Sequence, residues 1–288
     1  MSRCALRSIL AAPIALLLAA GPVRAFDTLV VANKDAATVW LLDPATGDRR
    51  AEVAVGVGPH EAAVSPDGRT AVICNYGAQT PGNSLTVIDV ETGEAVRTID
   101  LTPHRRPHGI RYLDDRHVLV TSETSRMLVK VDVVAGEVVG TYDAGGDIHM
   151  VDLTEEGTIA VATAVGAGKV CAVRLDEGDG TGDQPRCVET GRGTEAVAVR
   201  PGGGEVWVGH NGEHVVKVVD AADWSVTAEI DCGLQPIRIA FTPDGRHAMV
   251  SCVLTGDLAV IDAERRELVR RVKLAESTLD EAAWKGKP

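Results

Sequence analysis

His60, His108 and His149 each stand near the start of a short apolar run, in Pro59-His60, Pro107-His108 and Ile148-His149. The equivalent place in the other runs is taken by Glu195, Ile237 and Asp280. Imidazoles and carboxylates together make ligand sets for Zn, Cu or Fe. These residues lie far apart along the chain, so they share chemistry only if a repeating fold gathers them. The expectation is then one transition metal ion on His60, His108 and His149. Glu195 and Asp280 would be further ligands, or partners that orient an imidazole. A purely structural role competes with this. The column has the phase of Ala62 and Val64, of Ile110 and Tyr112, and of Val151 and Leu153. A histidine there could equally pack and bond to backbone.

Cys74, His210 and the loop pair Arg105-Arg106 fall where the same end of the repeats would bring them, facing a ligand. Two arginines on an acidic chain could meet an anionic substrate or a partner's carboxylates. A solvated loop is the plainer alternative. Cys74 could be a soft ligand, a redox thiol or an inert one. Cys171 and Cys187 lie on consecutive strands across the loop 176–184, where a disulfide would pin that loop. Cys232 and Cys252 fall on one face and offer a second bridge. Other chemistries lack their motifs. There is no Gly-rich phosphate loop before a helix, no Gly-x-Ser-x-Gly elbow and no Cys-x-x-Cys-His haem attachment.

The elements that must position these residues repeat along the chain. Short β-branched runs begin at Thr28, Thr70, His117, Thr158, Glu205 and His247, spaced 42, 47, 41, 47 and 42 residues apart. Each is followed by a second run, and five of those six end in Asp before a turn, as at Asp43 and Asp89. Asp there can bond its own backbone and start the turn. A third run follows. A fourth ends in Ser65-Pro66-Asp67-Gly68 or Thr242-Pro243-Asp244-Gly245, the pattern of a type I turn. Four short strands every forty-odd residues, without helical periodicity, predict an all-β, single-domain β-propeller. The segment Leu279–Trp284 matches Pro59–Val64. The C-terminus would therefore supply the inner strand of a blade whose outer three come from the N-terminus. That closure predicts six four-stranded blades with no exposed edge.

The strings 55–68, 71–75 and 85–93 resemble the YVTN-type β-propeller repeat, which is named for a Tyr-Val-Thr-Asn strand. Its last position here reads Asn33, Asn75, Ser122, Thr163, His210 and Cys252. The resemblance covers nearly all of residues 26–288. It implies a propeller, often of seven blades rather than six, in an exported or cell-surface protein mostly without assigned chemistry.

Composition agrees with this class. Hydrophobic residues make up 45% and aromatics only 3%, with 30 Gly, so a core of Val, Ile, Leu and Ala between many turns is expected. Residues 1–25 read as a signal peptide: Arg3 and Arg7, then an apolar stretch, then Val23-Arg24-Ala25. The uncharged stretch is short for a membrane span. No stable membrane insertion is expected after cleavage, and the protein would be periplasmic or secreted. Removing the three arginines of that segment leaves 26 Lys+Arg against 41 Asp+Glu, a net charge of −15. Such an acidic body excludes a nucleic-acid partner. Two functions remain. One is an exported binding module presenting its channel mouth to a partner protein or small molecule. The other is a metal-dependent oxidoreductase or hydrolase using His60, His108, His149 and Glu195.

Overall fold

The computed structural model describes residues 27–175, 184–202 and 204–274. The β-branched runs form strands, paired into six antiparallel sheets. The first holds β1 (Leu29–Asn33), β2 (Thr38–Leu42) and β3 (Arg49–Ala54). The second holds β4 (Pro59–Val64), β5 (Thr70–Gly77), β6 (Pro81–Asp89) and β7 (Glu94–Asp100). Next come β8 (Pro107–Tyr112), β9 (His117–Ser122), β10 (Met127–Asp132) and β11 (Glu137–Asp143), then β12 (Ile148–Leu153), β13 (Ile159–Ala164), β14 (Lys169–Arg174) and β15 (Arg186–Glu189). The last two are β16 (Thr194–Val199) to β19 (Val226–Asp231), by way of β17 (Glu205–His210) and β18 (Val215–Asp220), and β20 (Pro236–Phe241), β21 (His247–Cys252), β22 (Asp257–Asp262) and β23 (Glu267–Lys273).

The innermost strands β4, β8, β12, β16 and β20 are neighbours in that order, and β1 packs against β4. The molecule is a six-bladed β-propeller. Among the described residues the first blade has three strands. Its expected fourth, Leu279–Trp284 with Asp280, lies outside the described residues. So do the closure it would make and the segment 1–25. Among the described residues, no helix is long and apolar enough to cross a membrane.

Packing explains the composition. The second strand of a blade is covered on both faces by its neighbours, so every residue of β9 and β17 after the first is buried. The outermost strands β7 and β23 are mostly exposed. Narrow side chains fill the gap between blades, as where Val72 and Leu85 meet Ile110 and Val120. The strand-ending aspartates start their turns as expected. Asp43, Asp89 and Asp132 each accept a backbone N–H at 2.8 Å. Gly68 and Gly245 each close a turn onto the carbonyl three residues back, at 2.8 Å.

Cys171 and Cys187 face each other on β14 and β15 and are joined by a disulfide. The second bridge is a correction: Cys232 and Cys252 are free thiols. The Cys252 thiol instead donates to the Cys232 carbonyl, at 3.3 Å.

Candidate metal centre at the channel mouth

Each innermost strand from β4 to β20 carries a β-bulge where the site residues sit. The register jumps between Pro59 and Ala62, Pro107 and Ile110, Ile148 and Val151, Thr194 and Ala196, and Pro236 and Arg238. A bulge re-aims side chains that strict alternation would send to opposite faces. Consecutive residues can then serve one site, and His60 Nδ1 lies 3.6 Å from the carboxylate of the adjacent Glu61.

In two blades a threonine on the second strand ties the bulge to the next blade. The Gly109 N–H donates to Thr121 Oγ1 at 2.7 Å, and that hydroxyl donates to the His149 carbonyl at 2.7 Å. One blade on, the Met150 N–H donates to Thr163 Oγ1 at 3.0 Å, which donates to the Glu195 carbonyl at 2.9 Å. Gly109 permits the approach, since a Cβ there would lie 2.9 Å from Val151 N. Replacing Thr121 by valine keeps the shape but strands a buried N–H and a carbonyl. The expected cost is about 1–2 kcal/mol, read as a lower melting temperature.

The result is a row of imidazoles. His60 and His108 have ring centroids 4.1 Å apart, and His108 and His149 3.9 Å apart. Tyr76 closes on both His60 (5.1 Å) and His108 (5.4 Å). His149 is clamped, with Nδ1 at 2.7 Å from Glu123 and Nε2 at 2.8 Å from Glu195. Glu123 also accepts from the Tyr76 hydroxyl at 2.6 Å. Glu195 also accepts from Asn211 at 3.0 Å and from Arg238 at 3.4 Å. Arg238 reaches onward to Glu61, with its Nε at 2.9 Å. A chain of polar contacts thus links five blades around the mouth. A cavity of about 270 Å³ opens beside His149, between Glu123 and Val165.

The three histidines differ electrostatically. His108 is 1% exposed. Burial, then the fields of His149, His60, Arg238 and Lys34, push its pKa far below the usual imidazole value. It is neutral at any ordinary pH, and its buried Nδ1 has no hydrogen-bond partner. Burial also works against charge on His149, but hydrogen bonds to Glu123 and Glu195 outweigh it and raise the pKa to about 9. With both nitrogens donating, His149 is an imidazolium. Burial raises Glu195 and Glu61, yet the bond to His149 and then the charge of His149 and Arg238 hold Glu195 below the usual carboxylate value, and the bond to His60 and then the charge of Arg238 do the same for Glu61. Burial, then the bond to Glu123, lifts Tyr76 to about 12.

Two sets of three side chains place donor atoms within 4.8 Å of one another, as a metal requires: His60, Glu61 and His108, and His108, Glu123 and His149. His60, His108 and His149 therefore meet, and Glu195 joins them through His149. Asp280 lies outside the described residues. Arg106 stacks over Tyr76, 4.7 Å from its centroid, whereas Arg105 is exposed and offers its backbone carbonyl to Ser122. Cys74 and His210 do not face a ligand. Cys74 is fully buried in the core between two blades, where burial and then Glu61 push its thiol pKa well up. His210 is fully buried, with Nδ1 at 3.1 Å from the Val208 carbonyl and its pKa pushed down to about 4 by burial, then by Lys217. Sequence reasoning missed Glu61, Glu123, Tyr76 and Arg238. The available signal was adjacency: Glu61 and Arg238 each follow a column residue, and Tyr76 and Glu123 each follow the repeat position held by Asn75 and Ser122.

No family model matches the chain. The protein NirF of Stutzerimonas stutzeri is 27% identical over 228 residues, which cover 72% of this chain and 57% of NirF. The chain thus matches little more than half the length of that relative. Hydrazine synthase of Kuenenia stuttgartiensis superposes with a TM-score of 0.75 at 21% identity, over 87% of this chain and 84% of that one. That likeness is one of fold.

Proposed function

We propose that this chain is an exported β-propeller binding protein of the YVTN-repeat type, periplasmic or secreted. It holds a single transition metal ion, Zn, Cu or Fe, at one mouth of its channel and presents that face to a partner protein or small molecule. The observation that carries the reading is the pair of overlapping donor sets sharing His108. A metal ligand must be a neutral imidazole, and His108 is neutral with an unpartnered nitrogen. The His60–Glu61–His108 set contains that imidazole. The His108–Glu123–His149 set becomes available when His149 gives up its proton. The apolar stretch before Val23-Arg24-Ala25 supports export.

A second reading is a metal-dependent oxidoreductase or hydrolase. Two imidazoles and one carboxylate are the ligand pattern of sites that keep a position open for chemistry. The adjacent His149 imidazolium is a ready hydrogen-bond donor to whatever occupies that position.

Titrating metal-free protein with Co²⁺ tests the binding reading. Stoichiometric visible absorption bands from a nitrogen–oxygen ligand set are expected. They should vanish in the His60→Ala/His108→Ala double variant. Bands unchanged in that variant would place the metal elsewhere.

A further inference from the structure

The geometry points to a small oxyanion, a carboxylate or phosphate in kind, as the ligand received at this centre beside Tyr76, under Lys34 and Arg106. The inference rests on the metal reading and names its ligand class. Several cations around the mouth are held in ion pairs: Arg238 by Glu61 and Glu195, Arg126 by Asp147, and Lys217 by Glu213. Among the described residues, no ion pair engages Lys34 or Arg106. Both sit over the Tyr76 ring instead, with Lys34 Nζ 5.2 Å and the Arg106 guanidinium 4.7 Å from its centroid. Arg106 is held in place, since its guanidinium donates to the Ala78 carbonyl at 3.0 Å and its backbone N–H to Gly82 at 2.7 Å. The same ring touches His60 and His108. These two cations therefore share the Tyr76 ring with two of the proposed ligands, His60 and His108.

Charge balance decides the sign of the ligand. Glu61, Glu123 and Glu195 face Arg238, Lys34, Arg106 and the clamped His149, so the mouth carries no excess of negative charge. A divalent ion added to that ring makes it positive, an excess that an anion neutralises and a cation would worsen. The chain as a whole is acidic, with a net charge of −12. A local positive site on such a chain is a place where a small anion gains by approaching.

Calorimetric titration of the metal-loaded protein with inorganic phosphate, and separately with tetramethylammonium, tests this. Phosphate should bind and tetramethylammonium should not. Lys34→Gln/Arg106→Gln should weaken phosphate by about tenfold or more, as loss of two charge-assisted contacts predicts. Lys34→Glu/Arg106→Glu should abolish binding. Both pairs lie on the rim, and an unchanged melting temperature shows that each still folds. Equal phosphate affinity in wild type and both variants, no phosphate binding at all, or preference for tetramethylammonium would overturn the inference. Elemental analysis of the same samples judges the metal reading separately. If metal is absent, phosphate binding that still depends on Lys34 and Arg106 supports the anion site alone.

Discussion

His108→Ala is expected to strip the protein of its metal, while His60→Ala and His149→Ala each weaken retention without abolishing it. The asymmetry follows from geometry. His108 belongs to both donor sets, and each of the other two histidines belongs to one. Removing His60 leaves His108, Glu123 and His149; removing His149 leaves His60, Glu61 and His108. Alanine at a position 1% exposed also opens a cavity and lowers stability. His108→Phe is therefore the companion variant. Its ring can fill the space between His60 and His149 but cannot ligate. Metal loss in both variants, with the phenylalanine protein folded, assigns the effect to ligation. Retention of metal in His108→Phe would remove His108 from the site.

Metal-free protein should lose stability as the pH rises through 9, owing to His149. Its folded pKa of about 9 lies above the ordinary imidazole value of about 6.5. The folded state therefore binds that proton more tightly than the unfolded state does. The resulting stabilisation is complete below about pH 6.5, declines between there and 9, and is absent above 9. Its full size is about 3 kcal/mol. The group is largely buried between two carboxylates, so little is lost to solvent screening. Denaturant unfolding at a series of pH values measures it. His149→Gln, which cannot take up the proton, should flatten the curve over that interval. A wild-type curve already flat between pH 6.5 and 9 would contradict a clamped imidazolium.

The propeller was legible because its strands are short, β-branched and evenly spaced. The column of His60, His108, His149 and Glu195 was legible because repeat columns become rings. What escaped was set by backbone irregularity. The bulges at Glu61 and Arg238 break the two-residue period, so simple alternation gives no sign that either joins the column residue beside it. Tyr76 and Glu123 come one residue past the repeat position of Asn75 and Ser122, where β5 runs on to Gly77 but β9 ends at Ser122. Cys74 and His210 were placed at the mouth by their position near strand ends. In the structure the second strand is covered on both faces, and both side chains are enclosed in it. Cys232 and Cys252 share a face, as the pattern implied, but Cys252 turns to the Cys232 carbonyl. Sequence phase cannot distinguish that contact from a bond.

Elemental analysis of the protein, purified without chelators and again after reloading with Zn, Cu and Fe, decides whether the histidine row is a metal centre. A single transition metal ion per chain, absent from His108→Phe, is the predicted result. Protein that carries no metal in either preparation, or carries the same amount with and without His108, would contradict it.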